Sequence, residues 1–388
     1  MRSLVLVFTL AIVVSAVAFP QAVVDPAKVR DLLTRFESHA HEQLRCEVIP
    51  IKPALNFAFR FQAGFIVHVP LNQYSGKGHR WVMLVRVTPD GGETVPLMSV
   101  INLPEIPQTK AVAEIGGGYL VGEGHYEVQW MMFDDGGRVC RKNWTVEPKP
   151  TRAERGIRVA IPPKTVRSFF WFAEPGERSN FDDAAPVRLT VLLHAAPIST
   201  RRTTLRASDS LMLVGLLSSL LERLPTRSVR LVVFSLDQQA ELFRQESFSP
   251  KALDQVQQAI SNVQLGVVDY RVLQNRHGHV DLLANLINAE VHAKEPSDVV
   301  LFLGPTARYA DSMPQDALER LDAGSPQFFY FQYRPYYRRA ATFSDVITAS
   351  LRRLHGKTLL IHSPNEFAKA IQQVERAVRP APSAASEK

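Results

Sequence analysis

After residue 20 the sequence has no apolar run of the roughly 20 residues that a membrane-spanning helix needs. The single long run stands at the amino terminus, where one arginine precedes an apolar stretch that ends in Ala16-Val17-Ala18. A basic start, an apolar core and a small-x-small ending are typical of a cleaved secretory signal peptide. We therefore predict a signal peptide over residues 1–18 and a secreted or periplasmic location.

Cysteine is equally scarce, since only Cys46 and Cys140 occur in the sequence. They form no C-x-x-C pair and have no histidine at ligand spacing, so a cysteine-based zinc site is not indicated. Thiols of an exported protein pair readily in an oxidising compartment. We predict a Cys46–Cys140 disulfide that closes a loop of about 100 residues.

Blocks of like charge and catalytic signatures are also missing. The formal net charge is +7, but the basic residues are scattered along the chain. Nucleic acid is therefore not an expected partner, whereas peripheral contact with anionic lipid or envelope polymers stays open. No G-x-S-x-G or S-x-x-K motif occurs, and we expect Ser208 to Ser210 to cap a helix. The sequence predicts neither an enzyme nor a cofactor.

The first half of the sequence changes from a helical to a strand period. A helical spacing that starts at Asp25-Pro26 joins Val29, Leu32, Leu33, Phe36, Ala40 and Leu44. From residue 55 apolar residues alternate in short runs separated by glycine-rich turns, beginning with "NFAFRF" and "FIVHVP". About seven such runs, with Trp81 and Trp130 at buried-looking positions, predict an immunoglobulin-like β-sandwich. We expect the glycines of "GGGYLVGEGH" to lie in hairpins.

From Val187 onward apolar strands alternate with helical patterns of 10 to 17 residues. This alternation predicts a doubly wound α/β domain in which helices cover both faces of a parallel sheet. The predicted order along the chain is a signal peptide (1–18), an N-terminal helix (19–45), a β-sandwich domain (46–147), a connector (148–186), an α/β domain (187–378) and a disordered tail (379–388).

Five segments of the second half carry a family resemblance. In order they read "VRLTVLLHAAPIS", "LVVFSLDQQAELF", "RHGHVDLL", "VVLFLGP" and "LRRLHGKTLLIHSPNEFAKAIQQV". Over residues 187–378 the chain resembles a von Willebrand factor A domain, and the whole layout is similar to that of secreted bacterial proteins that contain one.

The resemblance implies a divalent-cation site at the carboxyl edge of the sheet, but its oxygen ligands are missing. His194, Ala196 and Ile198 stand where the family has an aspartate and two serines, His279 lies near its threonine, and Gly304 replaces its second aspartate. We therefore expect a degenerate site without metal. The alternative is a softer Zn²⁺ or Cu²⁺ site built from His194 and His279 together with His277 or Asp281.

The expected function is that of a non-catalytic exported module that contacts another protein through this domain. The candidate surface follows the strand "QFFYFQY" and combines tyrosine with arginine, which are enriched at protein contacts. It consists of Tyr333, Arg334, Tyr336, Tyr337, Arg338 and Arg339. The alternatives are the histidine metal site and attachment to the envelope surface, and the sequence leaves the oligomeric state open.

Overall fold

The computed structural model describes residues 21–37, 42–169, 187–199, 202–263, 270–322, 324–334 and 344–378. Two compact units divide them. The first lies within Met1–Asn56, Arg60–Thr151 and Arg158–Trp171, and the second within Phe57–Phe59, Arg152–Ile157 and Phe172–Lys388. The predicted signal peptide and tail fall outside the described residues. Among the described helices, none is long and apolar enough to cross a membrane.

The first unit is built almost entirely of antiparallel strands. Its elements are β1 (Ala22–Val23), α1 (Pro26–Glu37), β2 (Glu47–Leu55), β3 (Phe61–Pro70), β4 (Arg80–Pro89), β5 (Val95–Asn102), β6 (Val112–Val121), β7 (Tyr126–Asp134), β8 (Val139–Val146) and β9 (Val166–Ser168). The strands form a five-stranded sheet, β1-β5-β4-β7-β8, and a four-stranded sheet, β2-β3-β6-β9.

The core of the first unit lies between these two sheets. The side chains of Phe65, Trp81, Tyr119 and Trp130 are almost completely buried. Phe65 of one sheet meets Trp130 of the other edge-on, with ring centroids 5.6 Å apart. Because alternate strand residues face opposite sides, the period-two runs of the sequence provide the inner faces. The sheets are therefore arranged as a β-sandwich.

Helix α1 forms as predicted from Pro26, but its described part ends at Glu37. Leu44 is extended instead of helical, and its N–H donates to the carbonyl of Val139 at 3.0 Å. The helical spacing of apolar residues predicted one long helix that would bury Leu44, and Leu44 is indeed buried. Pairing with β8 buries it equally well, so the periodicity alone extended the helix too far.

The run "NFAFRF" is a turn between β2 and β3, which corrects the predicted strand. The main chains of Asn56 and Arg60 are joined by a 2.9 Å hydrogen bond, and the Asn56 side chain accepts a second bond from the Arg60 N–H. Phe59 takes a positive φ of 53°. An asparagine that satisfies the turn backbone outweighs the local alternation of phenylalanines.

The predicted disulfide is present. It joins Cys46, directly before β2, to Cys140 in β8, with the two Cα atoms 6.3 Å apart. The main-chain N–H of Val139 also donates to the carbonyl of Glu42 at 3.1 Å. The segment that enters β2 is therefore held to β8 by a covalent bond and by hydrogen bonds.

The second unit alternates strands and helices. Its elements are β10 (Arg188–His194), α2 (Ala207–Arg223), β11 (Ser228–Ser235), β12 (Ala240–Gln245), α3 (Leu253–Ser261), α4 (Tyr270–Gln274), α5 (Gly278–Val291), β13 (Val299–Pro305), β14 (Gln327–Tyr333), α6 (Val346–Arg353), β15 (Lys357–Ile361) and α7 (Pro364–Val378). The strands form one sheet in the order β12-β11-β10-β13-β14-β15.

This sheet is mixed rather than purely parallel. Strands β11, β10, β13, β14 and β15 run parallel to one another. Strand β12 lies at the edge and pairs antiparallel with β11. The predicted strand "VVDYRVL" is not one in its described part, because Tyr270–Gln274 is helical. The edge position belongs to β12, which is close enough along the chain to pair through a short turn.

Helices cover the sheet on both faces. Residues of α5 and α6 share one cluster with alternate residues of the strands, among them Leu192, Phe302 and Tyr330. Helix α7 packs against β14 and β15, and α3 packs against β11 and α2. The observed fold is therefore an α/β unit that follows an all-β unit.

Candidate functional site

The carboxyl edge of the six-stranded sheet is where this topology leaves room for a site. From β10 the chain passes to β11 on one side, and β13 lies on the other side of β10. The connections therefore diverge between β10 and β13, and open α/β sheets bind ligands at such switch points. His194 ends β10, and Gly304 lies near the end of β13.

His194 lies inside the protein at this switch point. Its side chain is 1% exposed, its ring stacks on Phe234 with centroids 5.2 Å apart, and Nδ1 lies 3.4 Å from the carbonyl oxygen of Pro305. Nε2 has no hydrogen-bond partner among the described residues. Burial lowers the pKa of the His194 imidazole, and the nearby Asp237 carboxylate opposes part of that shift.

The histidines predicted as metal candidates do not converge with further donors. His279, in the first turn of α5, is buried, and its Nε2 lies 2.8 Å from an Asp311 carboxylate oxygen. His277 precedes α5 and is exposed. Within the described part of the chain, no group of three or more histidine, cysteine, aspartate or glutamate side chains could hold a metal ion. Ala196 and Ile198 are buried apolar residues.

A connected set of polar side chains does occupy this edge, and we call it the edge cluster. Arg308 donates from Nη2 to the carbonyl oxygen of Arg202 at 2.7 Å, and its Nε lies 3.0 Å from Asp237. The Tyr309 hydroxyl also donates to Asp237, at 3.1 Å. Its ring stacks on His279 with centroids 4.0 Å apart. The edge cluster comprises Arg202, Asp237, His279, Arg308, Tyr309 and Asp311.

The edge cluster is polar, partly exposed and held in place. The side chains of Arg202 and Arg308 are 32% and 29% exposed, and that of Asp311 is 44% exposed. Partial burial beside Asp237 raises the pKa of the Tyr309 hydroxyl to about 12, so it stays protonated and donates. The main-chain carbonyl of Tyr309 accepts from Val346 at the start of α6. The arrangement can bind through fixed charges and an aromatic ring.

Asp345 is the other carboxylate at this edge, and its oxygens are fully used inside the protein. It is completely buried and accepts from the N–H groups of Ala307 and Thr348, each at 2.8 Å. The Gln332 amide donates to it at 3.0 Å, and the Tyr330 hydroxyl lies 3.2 Å away. Asp345 therefore caps α6 and ties it to β13 and β14.

The cap of α2 lies within the predicted segment Ser208 to Ser210 and is provided by Asp209. Arg206 occupies the N-cap position, and its main-chain N–H donates to the Asp209 carboxylate at 3.0 Å. Ser210 is buried, and its hydroxyl has no partner among the described residues. The acidic residue caps this helix because a carboxylate accepts more strongly than a hydroxyl near the positive end of the helix.

The tyrosine and arginine surface predicted after β14 begins inside the protein. Tyr333 is 1% exposed and Arg334 is 7% exposed, and the Tyr333 hydroxyl lies 2.9 Å from the sulfur of Met212. These two side chains do not supply an exposed surface. Tyr336, Tyr337, Arg338 and Arg339 lie outside the described residues.

Sequence reasoning missed most of the edge cluster. It identified His279, but Asp237, Arg308, Tyr309 and Asp311 went unnoticed because Asp237 follows β11 and the other three follow β13, far from it in the sequence. The available signal was their position, since Asp237 follows the end of β11 and Arg308 follows β13. Polar residues directly after neighbouring parallel strands meet at one edge.

Comparisons with known proteins add little. No protein-family model matches the chain, and no curated protein matches it. One solved structure, Northeast Structural Genomics Consortium target SoR45, is 13% identical over 27% of this chain and 88% of its own, with a TM-score of 0.18. A Bacteroides uniformis beta-glucuronidase 2 is 9% identical over 82% of this chain and 39% of its own, with a TM-score of 0.20. The chain spans about two fifths of that enzyme's length, and such low TM-scores carry no argument.

Proposed function

We propose that the chain is an exported, non-catalytic binding module. In this proposal the second unit is a von Willebrand factor A-like domain without its cation site, and it contacts another protein through the edge cluster. The main supporting observation is that two partly exposed arginines and a tyrosine lie close together in the loops at the switch point. Arginine and tyrosine are enriched among residues that dominate protein contacts. Export is supported by the Cys46–Cys140 disulfide.

Site-specific crosslinking in intact cells tests the proposal. Arg202 is replaced by the photo-reactive p-benzoylphenylalanine, and a matched chain carries the same residue at exposed Arg227, which lies directly before β11 and so at the opposite end of the strands. We expect a discrete crosslinked species from position 202 and none from position 227. Equal products from both positions, or no product from position 202, would contradict the proposal.

A substitution of Arg308 tests quantitatively whether the edge cluster makes the contact. Arg308→Gln removes the guanidinium that Asp237 and the Arg202 carbonyl hold in place, and we expect the crosslinked yield to fall at least tenfold, or about 1.4 kcal/mol. Arg244→Gln is the control, because Arg244 is paired with Glu241 on the edge strand β12. An unchanged yield with Arg308→Gln would argue against the edge cluster.

Salt dependence distinguishes attachment to the envelope surface from a specific protein contact. A scattered charge of +7 would bind anionic vesicles weakly, and about 0.5 M NaCl would screen that attraction. A specific contact through the edge cluster should persist at this salt concentration. If the chain co-sediments with anionic vesicles, if salt abolishes this binding, and if it accounts for all binding in cells, then attachment to the envelope surface is favoured instead.

A further inference from the structure

The two sheets of the first unit differ in what lies on their outer faces. Helix α1 covers the five-stranded sheet, where Val29 is 4% exposed in a cluster with Leu84, Met131 and Phe133. On the four-stranded sheet no described helix lies over the outer face in this way. There Ile49, Ile51 and Val112 are 41%, 43% and 54% exposed. Exposed apolar groups that share one face mark contact surfaces.

Strand register places these residues in rows across β2, β3 and β6. One row is polar and consists of Glu47, His68 and Glu114, and the next row consists of Ile49, Ile66 and Gly116. Side chains in a row lie on the same side of the sheet. We call this surface the β2–β3–β6 face.

The polar row is acidic in a chain that is basic as a whole. His68 lies between the two carboxylates, with Nδ1 3.6 Å from Glu47 and Nε2 3.2 Å from Glu114. The glutamate side chains are 72% and 51% exposed, so each has oxygens left for another donor. Both line a groove of about 810 Å³. Arg45 also lines it, and its guanidinium donates to the side-chain oxygen of Asn72.

The apolar row has open space at Gly116, which carries no side chain. No described atom lies within 4 Å of the place where a Cβ would stand on Gly116, although Ile66 is its cross-strand neighbour. Glu114 is two residues away along β6, which corresponds to about 7 Å in an extended strand. The acidic row and the open space at Gly116 are therefore spaced like residues i and i+2 of an extended chain.

We propose that the β2–β3–β6 face binds an extended segment of a partner protein that carries a lysine or arginine two residues from a large apolar side chain. The cation pairs with Glu47 and Glu114, and the apolar side chain lies over Gly116 beside Ile49 and Ile66. The segment lies on the face and does not join the outer edge, because Pro50 and Pro53 interrupt edge strand β2. Proline has no N–H to offer an added strand.

Two peptides test this on the full-length chain. The probes are fluorescein-labelled Lys-Thr-Leu-Thr-Leu and its Glu-Thr-Leu-Thr-Leu counterpart, and binding is followed by fluorescence anisotropy and NMR shifts. We expect the lysine peptide to bind at least tenfold more tightly than the glutamate peptide. Equal affinities, or no binding of the lysine peptide, would overturn the proposal.

Variants of the face locate the contact. Glu47→Gln with Glu114→Gln should reduce the preference for lysine to below twofold, and Gly116→Val should abolish binding by occupying the space over Gly116. The valine fits open space and a strand favours it, so its Tm should match that of the parent chain. Val100→Ser is the control, because Val100 is 45% exposed on β5 of the other sheet.

Three results would contradict the assignment. Binding that survives Gly116→Val with an unchanged Tm would place the peptide elsewhere, as would loss of binding in Val100→Ser. A dimer in size-exclusion chromatography that Gly116→Val dissociates would make a second copy the occupant. The Arg202 crosslink lies in the other unit, and its yield separates failure of this inference from failure of the proposed function.

Discussion

His194 combines complete burial with a ring nitrogen that has no hydrogen-bond partner among the described residues. A neutral imidazole tolerates this environment, but an imidazolium would need a partner for each N–H. The charged groups that influence it are Asp237, Asp345 and Arg308. Their charges are already engaged in the contacts described above. Protonation of His194 is therefore unfavourable in the folded protein.

This predicts a pH dependence of stability. Above the ordinary histidine pKa of about 6.5 the residue is neutral in both states, and below it only the unfolded imidazole gains a proton. The free energy of unfolding should fall by up to about 1.4 kcal/mol per pH unit, until the pH reaches the lowered folded pKa. His194→Gln should lose less stability than the parent chain between about pH 7.5 and about pH 5, measured by urea unfolding.

Exposed His277 provides the control for this measurement. His277→Gln should retain the pH slope of the parent chain, because His277 is exposed and lies outside the buried packing around His194. If His194→Gln and the parent chain show the same slope, then burial of His194 has no effect on the pH dependence.

Gly304 is required by the same packing. A Cβ on this residue would lie 2.8 Å from both the Cβ and the carbonyl oxygen of His194, and neither atom can move without shifting β10. Gly304→Ala should lower the free energy of unfolding by about 1–3 kcal/mol. Gly215→Ala is the control, because it meets open space within α2 and should raise stability by about 0.5–1 kcal/mol. Equal urea midpoints for both variants would refute the clash.

At the scale of elements, the Cys46–Cys140 disulfide fixes the entry of β2 against β8. Its cysteines are separated by 94 residues, and a bridge over such a distance strongly restricts the unfolded chain. Replacing both cysteines by alanine should lower the free energy of unfolding by about 2–5 kcal/mol. Reduction of the parent chain by dithiothreitol should lower it similarly, whereas the alanine variant should not respond. A response of that variant to the reductant would point to another cause.

Local pattern predicted some elements and missed others for a definable reason. The helical pattern "MPQDALERLDA" is not a helix in its described part, yet Leu318 and Leu321 still pack against the core. The Arg353 side chain donates to the carbonyls of Met313 and Pro314, and the Asn288 amide donates to that of Ala317. Side chains that are distant in the sequence donate hydrogen bonds to the main-chain carbonyls of this segment, so these carbonyls do not need a helix. The local sequence pattern contains no information about such contacts.

Over the whole molecule, periodicity was sufficient to predict a β-rich half followed by an α/β half, and the presence of only two cysteines predicted the disulfide in the first half. Periodicity could place His194 at the end of the first strand of the second half. Periodicity could not predict the edge cluster, because the order of the strands in the sheet is what brings Arg202, Asp237, His279 and Arg308 together. Nothing in the spacing of these residues fixes which strands are neighbours.

The edge cluster and the β2–β3–β6 face belong to different units. If both bind as proposed, then a single chain has two separate contact surfaces of different character. One presents arginine and tyrosine beside carboxylates, and the other presents glutamate beside apolar groups. Their variants should act independently, since residues that share no partners contribute additively.

The position of Cys46 also fixes the order of events during synthesis. Strand β1, helix α1 and Cys46 leave the ribosome before β5, β7 and β8, but β1 pairs with β5, Val29 packs on β7 and β8, and Cys46 bonds to Cys140. This early segment must therefore wait for the later strands of its sheet, and Cys46 cannot bond to Cys140 until β8 has been made. Closure of the disulfide is a late event, and a chain interrupted before β8 contains Cys46 without its partner.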